Sequence, residues 1–181
     1  AEPAALIVDG GTFGQGHSNY GIMINHGESG GQGLVTVRNG GNLGAAKYTI
    51  NANAAADADG YVNFLRLEGG VATLRQVVNK SSHTARVVVA GGKFATAHSQ
   101  AWCYVFSGNF LFESENHAKI VFDLNNAKHG FGGGVRTLGE GDVEFLQSGN
   151  NTGDISGCQF DNGGSVVVSG AGTLTFAKEQ I

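Results

Sequence analysis

The sequence predicts an all-β chain wound as a right-handed parallel β-helix of about seven coils, with three short strands in each. Three observations carry this. Short runs of β-branched and apolar residues recur seven times along the 181 residues. Four of those runs end directly in Gly-Gly. No stretch keeps the i, i+3, i+4 apolar spacing of an amphipathic helix, while Val, Thr, Ile and Phe dominate.

The Gly-Gly runs are Leu6-Ile7-Val8-Asp9-Gly10-Gly11, Val35-Thr36-Val37-Arg38-Asn39-Gly40-Gly41, Leu65-Arg66-Leu67-Glu68-Gly69-Gly70 and Val87-Val88-Val89-Ala90-Gly91-Gly92. Degenerate copies start at Ile120, Val143 and Val166. Aligning Val8, Val37, Leu67, Val89, Phe122, Phe145 and Val168 gives intervals of 29, 30, 22, 33, 23 and 23 residues. The short intervals suit one coil; the long ones add an insertion. Second strands are expected at 22–24, 48–50, 77–78, 104–106, 135–138 and 158–160, and third strands at 12–13, 42–43, 93–94 and 173–174. Gly-Gly belongs where the chain corners with positive φ and coils stack without room for side chains. On this alignment the insertions fall on one arc, with rims at 26–33, 51–60 and 107–118. Loops of that kind are where solenoids commonly build binding surfaces.

Composition narrows the function. There are 31 Gly and one Pro, hydrophobic content is 41%, and the net charge is −4. Such a chain folds, and it offers no polycationic face for nucleic acid or anionic membrane. No apolar run approaches the ~20 residues of a membrane helix. Cys103 and Cys158 have no metal-type spacing. They lie two coils apart, roughly 10 Å, and are expected as free, buried thiols. A coil exposed at each end suggests one module, residues 1–181, cut from a longer multidomain chain.

Candidate ligand contacts come from rings with polar neighbours. Alternation puts Trp102, Tyr104 and Phe106 on one strand face, which would stack on successive sugars if it points outward. The coil alignment instead favours an inward Phe106 and Tyr104 and leaves Trp102 open. His98 and Gln100 precede this strand and suit sugar hydroxyls. Tyr20 and Tyr61 are further rings. Phe110, Phe112 and Glu113 occupy the third rim, where inserted aromatics more often anchor their own loop. Asp57 and Asp59, before Gly60, are the weak metal candidates for a structural calcium, although a polar surface turn is the plainer reading. The six His show no zinc spacing. No two acids occupy adjacent coils at the wall position after the first strand, as a catalytic carboxylate pair would require. The chain is therefore expected not to be an enzyme.

As a whole, the Gly-Gly-cornered coils, the aromatic segment 101–112 and the length of about seven coils resemble the β-helical, xylan-binding carbohydrate-binding modules of family 89. The likeness spans residues 5–176. It implies a secreted, bacterial, non-catalytic and monomeric module that needs no cofactor. Such a module holds a covalently linked plant-polysaccharide-degrading domain on xylan or a related hemicellulose. A competing likeness rests on Gly170-Ala171-Gly172-Thr173-Leu174-Thr175-Phe176, which is similar to the repeat of autotransporter passenger domains and implies an adhesive or structural β-helix. A polysaccharide lyase or hydrolase is the third reading.

Overall fold

The computed structural model describes residues 4–14, 21–24, 33–97, 105–125, 130–131 and 134–176. Among them there is no helix, and the strands stack in parallel as a β-solenoid of about six turns. The strands are β1 (Ala4–Asp9), β2 (Thr12–Phe13), β3 (Gly21–Ile24), β4 (Gly33–Ile50), β5 (Tyr61–Asn79), β6 (Thr84–Thr96), β7 (Phe106–Ser107), β8 (Phe110–Ser114), β9 (Ile120–Asp123), β10 (Val135–Gly139), β11 (Val143–Gln147), β12 (Thr152–Asp154), β13 (Cys158–Asn162), β14 (Val166–Gly170) and β15 (Thr173–Thr175). The long strands β4 and β5 run through corners and contribute to all three walls, and β6 contributes to two.

The first wall stacks β1, β4, β5, β6, β8, β10 and β13. The second stacks β2, β4, β5, β6, β9, β11 and β14. The third stacks β3, β4, β5 and β7, passes through the Phe106–Phe131 bridge, and ends in β12 and β15. Three strands per coil, as expected, put one face of each strand into a dry column. Burial alternates accordingly along β6 and β11. Phe94, Phe106, Phe112, Phe122 and Phe145 fill the middle of the column with edge-to-face and stacked contacts 4.9–6.3 Å apart. Rings in these arrangements add attraction beyond their buried area.

The Gly-Gly corners behave as expected. A Cβ on Gly70 would stand 2.5 Å from the Gly41 carbonyl oxygen, and one on Gly92 would stand 2.5 Å from that of Gly70. Successive coils therefore touch backbone to backbone, and only glycine fits.

The alignment of the seven runs needs correction. Val8, Val37, Leu67 and Val89 share the first wall, but Phe122, Phe145 and Val168 stack on Phe94 in the second. The first-wall partner of Val89 is Ser114. Residues 135–138 and 158–160 likewise belong to the first wall, and 173–174 to the third. Phe106 pairs with Val77 and Phe131, not Phe160. The rims at 26–33 and 51–60 still fall on one connection, from a third-wall strand to a first-wall strand (β3 to β4 and β4 to β5), and 107–118 departs from that arc. The 51–60 loop joins the third wall to the first, whereas 107–118 contains β8, a strand of the first wall. The 26–33 rim falls almost wholly outside the described residues.

Candidate axial groove

The sequence candidates are not brought together. Tyr20, His98, Gln100, Trp102 and Tyr104, like Cys103, lie outside the described residues. Phe110 and Phe112 are fully buried, so both are core rather than ligand contacts. They point inward because they continue the alternation of the first wall, pairing with Ala85 and Val87. Glu113 faces outward on that wall, between Val88 and Leu138 of the neighbouring coils. Cys158 is free and buried, and burial pushes its thiol pKa up.

Asp57 and Asp59 already hold a cation, the guanidinium of Arg86. Asp57 Oδ1 accepts the backbone N–H groups of Asp59 and Tyr61, each at 3.0 Å. Its Oδ2 accepts Asn63 Nδ2 at 2.9 Å and Arg86 Nη2 at 3.0 Å. Arg86 Nη1 stands 3.6 Å from Asp59 Oδ2, and Arg86 Nε donates to Asn63 Oδ1 at 2.9 Å. Burial raises the Asp57 pKa, but the Tyr61 N–H, the Asn63 amide, Arg86 and the Asp59 N–H outweigh it and hold the carboxyl below its usual range. The weak calcium candidate is thus an Asx turn tied to an arginine, the polar turn of the plainer reading. Among the described residues no group of three or more His, Cys, Asp or Glu is placed to hold a metal.

This hub fixes one end of an open groove of about 280 Å³. The groove runs along the solenoid axis on the edge of the first wall. One side is the row Tyr61, Thr84, Asn109, Gly134 and Gly157, each one residue before an inward-pointing residue of successive coils. The other side carries Leu111, Arg136 and Gln159, two residues further along their strands. Phe110 and Val135 lie in the floor. Five rungs at ~4.8 Å each give the first row a length of roughly 19 Å.

The first row shrinks along the axis from Tyr through Thr and Asn to two glycines. Its aromatic end is rigid: Arg86 lies over the Tyr61 ring, 5.5 Å from the centroid. Its glycine end leaves the floor uncovered; a Cβ on Gly134 would meet Asn109 Oδ1 at 2.9 Å. Among the described residues, the side chains of Thr84, Asn109 and Gln159, the Tyr61 hydroxyl and the Arg136 Nη atoms have no hydrogen-bond partner. Arg136 uses only Nε, toward Asp161 Oδ2. No acidic side chain lines the groove.

Sequence reasoning named Tyr61 but missed Asn109, Gly134, Arg136 and Gln159. They carry no motif. Their common row exists only in the true register, 25 residues from Asn109 to Gly134 and 23 from Arg136 to Gln159.

Compared with known proteins, the chain matches no protein-family model, no curated protein and no solved structure.

Proposed function

We propose that the protein is a non-catalytic module that binds a plant cell-wall polysaccharide, xylan or a related hemicellulose, along this axial groove. In that role it would hold a linked polysaccharide-degrading domain on its substrate. The reading rests on one observation: hydroxyl and amide groups without a partner among the described residues, and a guanidinium held only through its Nε, converge beside one aromatic ring on an open groove. Sugar recognition asks for these elements, since ring faces stack on apolar sugar faces and polar groups meet hydroxyls. A rung step is close to the advance of one sugar in an extended β-1,4 chain, so a polymer lying along the axis presents about one sugar to each coil. The lining holds no carboxylate pair of the kind glycoside hydrolysis uses. A shallow groove leaves much of each sugar in water, so affinity per sugar is weak.

Affinity gel electrophoresis tests this. Migration should be retarded in xylan and unaffected by cellulose. Unretarded migration in every plant polysaccharide would sink the reading.

A further inference from the structure

We infer, resting on that reading, that the groove selects polysaccharides bearing carboxylate groups, and that Arg136 is the residue that selects them. The groove lining carries one cation and no anion. That cation is half used. Arg136 gives Nε to Asp161, and its two terminal nitrogens have no partner among the described residues. Its side chain is 53% exposed, against 23% for Arg86, whose Nε and both terminal nitrogens already meet Asn63, Asp57 and Asp59. Asp161 therefore orients the Arg136 guanidinium without saturating it. Two parallel N–H donors on a planar group match the two oxygens of a carboxylate.

The surroundings favour reach. Gly134 and Gly157 put no side chain across the groove from Arg136 and Gln159. That gap admits a substituent projecting from a polymer backbone, with the Gln159 and Asn109 amides available to neighbouring hydroxyls. The ligand class that follows is a hemicellulose or pectic chain carrying uronic acid. A sulfated sugar offers the same charge but a tetrahedral group, which the planar fork fits less well.

The test compares the intact protein and Arg136→Gln on four matrices: xylan with glucuronic acid side groups, the same xylan with those groups removed, polygalacturonate, and a sulfated polysaccharide. The expected result is about tenfold tighter binding to glucuronoxylan than to the stripped xylan. Arg136→Gln should abolish that preference, weakening binding to glucuronoxylan far more than binding to stripped xylan, and should keep the melting temperature. Arg136→Lys should keep part of the preference and lower the affinity. Equal binding to both xylans, unaltered by Arg136→Gln, overturns the inference while polysaccharide binding stands. Stronger binding to the sulfated matrix also overturns it. Binding to none of the four overturns the function together with the inference.

Discussion

The two ends of the groove use the same kind of residue for opposite purposes. At one end Arg86 is surrounded by Asp57, Asp59, Asn63 and the Tyr61 ring, and each of its three nitrogens faces a partner. At the other end Arg136, an outward residue of the same wall, is held by a single carboxylate and lies beside glycines. Those partners mark the first as architecture that stiffens a loop. Donors without a partner among the described residues, beside glycines, are why the second is proposed as the place for a ligand. Arginine on a solenoid wall is by itself uninformative; its account of partners is what separates structure from function.

The largest effect should come from the floor both ends share. Phe110→Ala removes a fully buried ring that packs on Phe106, and should cost about 3–5 kcal/mol in urea unfolding. Lost xylan binding at unchanged stability would instead return Phe110 to the ligand. Asp57→Ala comes next. It deprives two backbone N–H groups, Asn63 and Arg86 of an acceptor, and should cost about 1–2 kcal/mol while weakening binding through a looser Tyr61. An unmoved urea midpoint would show that the Arg86 end is not held this way. Gly134→Leu should do the reverse at the open end. The added atoms meet the movable end of Asn109, so the stability cost should stay below about 1 kcal/mol while retardation in xylan is lost.

The smallest effect is a pH dependence confined to the hub. The folded-state pKa of Asp57 is depressed, so its contribution is complete above the unfolded value of 3.8 and fades as pH falls through the lower folded value. The stability difference between the protein and Asp57→Asn should therefore stay constant from neutral pH down to about 5 and shrink below about 4. A difference that already shrinks between pH 7 and 5 would contradict the direction of the shift.

Much of the fold was legible because its causes are local. Alternation of apolar and polar residues names a strand with one buried face, and Gly-Gly names a corner where two backbones touch. The wall to which a run belongs was not legible. Val-Val-Val and Ile-Val-Phe look alike on any side of the solenoid. The column that starts with Val8 also changes character halfway. After Val89 it continues through Ser114, whose Oγ donates to the Ala118 carbonyl oxygen at 2.6 Å, and then through Gly139 and Asn162. A search for apolar runs passes over such residues, and the 33-residue interval conceals a whole first-wall strand, β8. For that reason an alignment of apolar runs puts Phe110 and Phe112 in a rim loop.

The sequence by itself determined a solenoid of parallel strands and its glycine corners. Each follows from neighbours a few residues apart. Only the tertiary structure decided which residues from different coils share a row, and hence that Tyr61, Thr84, Asn109 and Gly134 line one groove facing Arg136 and Gln159. Register between coils is set by the fit of the whole column against its corners, and a row that crosses coils leaves no trace in any single stretch of chain.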